Sequence, residues 1–154
     1  AEGIADRLAD AACVRGFTPR CMPMDCYDVR LLPEEELLVC VASTTGDGDA
    51  PSSMRNFWAT LRRRSLPPDT LQRVRYAVFG CGDSSYAQFN AASRRLDLRL
   101  SQLGAHRLLP VGLGDDQGVM GVESALETWT GELWTAIGGR ALPSLPAASV
   151  ASSS

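Results

Sequence analysis

The residues able to do chemistry collect in two loops. Ser43-Thr44-Thr45-Gly46-Asp47-Gly48-Asp49 offers hydroxyls, carboxylates and glycines. Gly80-Cys81-Gly82-Asp83-Ser84-Ser85-Tyr86-Ala87-Gln88-Phe89-Asn90 adds a thiol, amides and aromatic rings. Covalent catalysis is a poor fit to either. Gly82-Asp83-Ser84-Ser85-Tyr86 has part of a hydrolase nucleophile elbow but lacks its second glycine. The single histidine, His106, falls at the start of an expected strand, the wrong end for a base at these loops. Cys40 and Cys81 have no neighbouring histidine or lysine and read as small hydrophobes. Asp47 and Asp49 without a phosphate cradle make a poor magnesium site, so neither catalytic side chains nor metal ligands are expected.

What the loops suit is a flat ligand. Glycines let the backbone come close to a ring, and Tyr86 supplies a face to stack on it. Gly and Asp also dominate ordinary turns, so residues 44–49 alone would fit a plain turn. Together the two loops point to a flavin. Asp47, Asp49, Asp83, Asp115 and Asp116 all follow expected strands and make one edge acidic, a rim that repels phosphate and steers a basic redox partner. The phosphate of such a ligand needs backbone N–H groups at a helix N-terminus instead.

Loops that share a crevice must leave strands at one edge of a sheet. Each follows a short apolar run, residues 37–42 and 76–79, and each leads into a helical pattern. The run at 37–42 is apolar throughout, as a central parallel strand covered on both faces should be. Ile4, Leu8, Ala11 and Ala12 recur at helical spacing, with Gly16 as the stop. Residues 17–24 read as a strand and 27–36 as a connector. Met54, Phe57, Trp58 and Leu61 share a helix face after Pro51, and Arg62, Arg63 and Arg64 end that helix. A third helix carries Phe89, Leu96, Leu100 and Leu103 inward and ends at Gly104. Leu108, Leu109, Val111 and Leu113 form the fourth strand, and Val122, Leu126, Trp129, Leu133 and Ile137 one stripe of the last helix. Trp58 and Trp129 thus fall on core faces. Strands alternating with helices predict a doubly wound sheet over 1–137, with 138–154 a linker or disordered tail.

Composition leaves room for this reading and closes others. A chain of 154 residues is long enough for one real core. A net charge of −3, with no basic face interleaved with aromatics, does not suggest nucleic acid. No apolar run approaches the roughly 20 residues of a membrane span. Five cysteines without a C-x-x-C pair indicate neither a disulfide scaffold nor zinc, so a reducing cytoplasm is expected.

Three motifs in order carry a resemblance: Ser-Thr-Thr-Gly-Asp-Gly-Asp, Phe-Gly-Cys-Gly-Asp-Ser-Ser-Tyr-Ala-Gln-Phe-Asn, and Gly-Leu-Gly-Asp-Asp-Gln at 112–117. They resemble the FMN-binding, flavodoxin-like domain of the NADPH-dependent diflavin reductases, over residue 1 to about 137. Gly-Asp-Ser-Ser-Tyr and Gly-Asp-Asp-Gln are most similar to the cytosolic diflavin oxidoreductases that feed iron–sulfur assembly. The resemblance implies FMN contacts at Ser43, Thr44, Thr45 and Gly46 along the ring edge and ribityl chain. It implies further contacts at Cys81, Gly82, Asp83, Ser84, Ser85, Tyr86, Ala87, Gln88, Phe89 and Asn90 on the other side, Tyr86 stacked, with Asp116 facing the ring. Thr45 stands where many members have an aromatic, and Cys81 where leucine is usual.

The family opens with an apolar strand and a Ser/Thr-Gly-rich phosphate loop, and both are absent here. The family order 2-1-3-4-5 would put the absent strand between the strands at 17–24 and 37–42. A flavodoxin-like sheet without its first strand is therefore expected, marginal and weak for FMN, and inactive as an isolated fragment. The implied role is electron relay: from NADPH, through FAD on a reductase domain outside this sequence, to FMN and on to a protein acceptor such as an iron–sulfur or haem protein. A cofactor-free interaction module is the alternative.

Overall fold

A computed structural model of the chain describes residues 2–44, 54–85, 90–116, 121–138 and 147–152. The chain opens with α1 (Glu2–Val14), which turns into β1 (Thr18–Pro23). Two short 3-10 turns, Met24–Cys26 and Val29–Glu34, lead to β2 (Leu37–Ser43). Then come α2 (Arg55–Leu61), β3 (Arg75–Gly82) and α3 (Ala91–Gln102). The short strands β4 (His106–Arg107) and β5 (Gly112–Asp115), α4 (Val122–Gly138) and β6 (Ala147–Ser152) complete it.

Every neighbouring strand pair is parallel, in the order β1-β6-β2-β3, with β4 and β5 both on the outer edge of β3. Helices cover both faces, and the alternation along β2 shows how. Leu38, Cys40 and Ala42 enter the core beneath α2 and α3, beside Phe57, Leu61, Leu96 and Leu100. Leu37, Val39 and Val41 enter the opposite core with Ala5 and Leu8 of α1 and Leu126, Trp129 and Leu133 of α4. A strand buried on both sides has no polar positions to spare, which is why its sequence is one apolar run. The doubly wound sheet is as expected.

Helix ends follow the local chemistry. Gly16 and Gly104 take left-handed φ of 90° and 91°, which lets the N–H of the residue after each glycine reach back to Ala12 and Leu100 carbonyls at 3.0 and 3.1 Å. Arg99 holds the end of α2, its guanidinium donating to the carbonyls of Leu61, the helix's last residue, and of Arg63 just beyond it at 2.5 and 3.0 Å. The connector is pinned by a buried carboxylate: Glu35 accepts from the Tyr27 hydroxyl at 2.8 Å and from Arg20 at 2.5 Å.

Two expectations need correction. Residues 147–152, anticipated within a linker or tail, form β6, and it occupies the gap expected between β1 and β2. The flanking strands pair with it rather than with one another. The stretch expected as one fourth strand is instead split into β4 and β5 around Pro110, which has no N–H to give to a ladder.

Candidate functional site

Parallel strands send all their exits to one edge, and there the β2, β3 and β5 loops meet. Ser43 lies opposite Cys81 in the β2–β3 register, and the Thr44 N–H donates to the Cys81 carbonyl at 3.2 Å. The Asp116 N–H donates to the Gly82 carbonyl at 2.9 Å, tying the β5 exit to the β3 exit. Across the same seam the Asp115 carboxylate accepts the Ser84 N–H at 2.9 Å. Asp83 folds its own loop tightly, accepting the Ser85 N–H at 2.9 Å and its hydroxyl at 2.5 Å.

The start of α3 is held by residues from other loops. Its Ala92 N–H donates to Thr44 Oγ1 at 3.0 Å, so β2's exit supplies the cap that Asn90 does not. Asn90 has a left-handed backbone, φ 52°, and is fully buried. Its amide nitrogen donates to the Gly114 carbonyl at 3.1 Å, and its Oδ1 has no donor among the described residues. That oxygen lies against Gly82, where an added Cβ would sit 2.6 Å from it. Gly82 is thus a glycine because Asn90 fills the space its side chain would need.

The structure therefore brings Ser43, Thr44, Cys81, Gly82, Asp83, Ser84, Ser85, Asn90 and Asp116 to one edge. Thr45, Gly46, Tyr86, Ala87, Gln88 and Phe89 lie outside the described residues, as do Asp47 and Asp49. Sequence reasoning missed the Thr44 cap and the Asp115–Ser84 bridge. It also missed that the buried side chain of Asn90, expected among the ligand contacts, ties its loop to β5. An Asn at a loop–helix junction was the available signal, since Asn tolerates the left-handed region.

Neither Cys81 at this edge nor Cys40 deeper in β2 is primed as a nucleophile. Burial pushes the Cys81 thiol up, and that of Cys40 up to about 12, so both stay protonated at neutral pH. His106 hydrogen-bonds Gln72 at 2.9 Å, and β4 pairs with the amino end of β3, the far edge from the loops. Among the described residues no group of His, Cys, Asp and Glu is placed to hold a metal, and no helix is long and apolar enough to cross a membrane.

A parallel, doubly wound domain with its crevice at three strand exits belongs to the ligand-binding open-sheet α/β class. Family comparison sharpens this. The chain belongs to the flavodoxin family, whose profile matches residues 1–129. It is 44% identical over 137 residues to NADPH-dependent diflavin oxidoreductase 1 of Mus musculus, covering 89% of this chain and 23% of that protein. With the Arabidopsis thaliana protein of that name it is 46% identical over 131 residues, 84% and 21% of the two chains. The chain thus spans less than a quarter of these relatives. Among solved structures, a cysteine-to-alanine mutant of flavodoxin from Pseudomonas aeruginosa superposes with a TM-score of 0.74 at 26% identity, covering 90% of this chain and 91% of that one. Streptococcus pneumonia TIGR4 flavodoxin gives 0.71 at 27% identity, covering 87% and 89%.

Proposed function

We propose that this chain is an FMN-carrying electron-transfer module. It would receive electrons from an NADPH- and FAD-binding reductase domain outside this sequence and deliver them to a protein acceptor such as an iron–sulfur or haem protein. The observation that carries the reading is the seam of backbone hydrogen bonds joining Thr44 to Cys81 and Gly82 to Asp116. It fixes three loops into one crevice at the edge where open α/β sheets bind ligands. When bound, FMN supplies the redox chemistry, and the protein supplies position and local charge.

The residues present fit the ring of such a group. Ser43, Thr44, Ser84 and Ser85 bring hydroxyls and backbone groups to the edge of a neutral heterocycle. Asp83, Asp115 and Asp116 make the surroundings negative, so a phosphate has to be held apart from them. The amino end of α1 suits that task, because α1 runs antiparallel to β1 and opens at the crevice edge. Tyr86 is proposed to stack on the ring, and Thr45, Gly46 and residues 87–89 to line it.

Titration of the chain with FMN, followed by flavin fluorescence, tests the proposal. Saturable binding is expected, weakened by about 1–3 kcal/mol in Tyr86→Ala, the cost of removing a stacking ring. A chain that ignores FMN at all concentrations would support the cofactor-free interaction module instead. Binding unchanged in Tyr86→Ala would remove Tyr86 from the ring's face while leaving the module in place.

A further inference from the structure

The face built by α2 and α3 carries charge of the opposite sign to the crevice. Residues 54–66 hold Arg55, Arg62, Arg63 and Arg64 and no Asp or Glu, in a chain of net charge −3. The fold lays α3 beside them with Arg94, Arg95 and Arg99. The one carboxylate of α3, Asp97, is buried and bound to Arg107 at 3.0 and 2.8 Å. A groove of about 300 Å³ runs between the two helices, lined by Trp58, Arg62, Arg95, Leu98, Arg99 and Gln102, and Leu98 is 56% exposed there. Across the α2 exit lies an aliphatic cleft of about 380 Å³, walled by Leu32, Leu61, Leu66, Leu71 and Leu103. Hydroxyls at its edge are already engaged, Thr60 donating to the Asn56 carbonyl at 3.1 Å and Thr70 to that of Pro67 at 2.6 Å. Arg30 on its rim is neutralised by Asp28 at 3.0 and 2.9 Å. Arg63, also on the rim, bonds only through its backbone, so its guanidinium has no partner among the described residues.

We propose that this face docks an acidic segment of a partner protein through an aliphatic anchor. The anchor enters the leucine cleft, and the carboxylates beside it meet Arg62, Arg63 and Arg64. Exposed ion pairs alone contribute little, so affinity comes from the buried anchor while charge steers and selects the partner. The aliphatic walls, with their neighbouring hydroxyls engaged, set the anchor's chemistry. A nucleic acid fits this face less well. It would stack bases on open aromatic rings, and the Trp58 ring is already covered by the Arg62 guanidinium, 5.9 Å from its centroid. The position matters as much as the charge. Helix α3 begins at the crevice, where Ala92 meets Thr44, and it ends where the Leu103 carbonyl accepts the Leu71 N–H at 2.8 Å, just ahead of β3. The cleft therefore lies at the far end of the sheet from the three loops. A partner docked there leaves the crevice open, whatever the crevice binds.

The test titrates the full chain, without FMN, with the synthetic peptide acetyl-Glu-Asp-Glu-Leu-Glu-Glu-Leu-Glu-Asp-Glu-amide, followed by NMR of leucine methyls and arginine side-chain N–H groups. Saturable shifts are expected at the Leu61, Leu66, Leu71 and Leu103 methyls and at Arg62 and Arg63, with affinity falling as salt rises. A control peptide with both leucines replaced by serine keeps the charge and should bind about tenfold more weakly or less, the loss of one buried leucine. Joint Arg62→Glu and Arg63→Glu, both at exposed positions, should weaken the parent peptide about tenfold with an unchanged thermal melt. Should that variant melt early, the serine control on the parent chain still decides. Cleft methyls that do not shift, equal affinity for the serine control, or equal affinity in the folded double variant would overturn the proposal. A single-stranded oligonucleotide that binds the same arginines more tightly than the peptide would also overturn it, in favour of a nucleic-acid surface.

Discussion

Tyr76 carries a pH dependence that can be worked out from its surroundings. It is fully buried near the start of β3, and its hydroxyl donates to the Asp97 carbonyl at 2.9 Å. Burial first, and the nearby Asp97 carboxylate second, push its phenol up to about 12 from an ordinary value of 10.0. An acid raised in the folded state favours folding fully below pH 10, and that contribution is lost as pH climbs through 12. Tyr76→Phe should cost about 0.5–1.5 kcal/mol at about pH 8 through the missing hydrogen bond. The gap to the parent should then narrow between pH 10 and 12, as read by urea melts at each pH. Asn90 makes a contrasting case, because strain and bonding act together. Asn90→Ala loses the bond to Gly114 and places an alanine at φ 52°, so it should cost about 1–3 kcal/mol. Asn90→Gly should cost less by about 1 kcal/mol, since glycine relieves the backbone. Denaturant midpoints decide the order. Residue types at this site were legible in the sequence. The direction in which Asn90 points was not, because it depends on a carbonyl of β5 that only the fold brings near.

Among the elements, β5 shows how close approach fixes a residue. A Cβ on Gly112 would run into the Phe79 ring and stand 2.8 Å from Trp129 Cδ1, and those two rings already pack with centroids 5.3 Å apart. Gly112→Ala should therefore overpack the β3–β5–α4 contact and cost about 1–3 kcal/mol, measurable as a lower urea midpoint. The helices α1 to α4 could be read from the sequence because their apolar positions repeat at the helical period, and β2 and β3 because each is one short, unbroken apolar run. Pro110 divides the outer strand by chemistry that was also visible. By contrast, β6 could not be read, since Ala and Ser favour no strand and its burial comes from the neighbours that the fold sets around it.

At the scale of the whole molecule, charge is unevenly placed. A chain of net charge −3 gathers Asp83, Asp115 and Asp116 at the crevice edge, and in sequence Asp47 and Asp49 belong to the same loops. If this rim docks a basic acceptor, replacing Asp47, Asp49 and Asp115 by Asn should slow electron delivery from the FMN-loaded chain to a cationic haem protein. It should also flatten the dependence of that rate on salt. Stopped-flow rates at low and high salt check both. Asp116 is left intact so that the ring's own surroundings are unchanged.

The place of β6 also sets a timetable. Arg20 on β1 meets Ser149 on β6 across 129 residues of sequence, so the centre of the sheet closes only when distant segments find each other. Contacts of that span make folding slow, because loop closure comes before its reward. During synthesis at about 5–20 residues per second, β1 waits on the order of ten seconds for its neighbour. Pulse-labelling during refolding should accordingly find β2 and β3 amides protected early, with β1 and β6 amides closing together in the last phase.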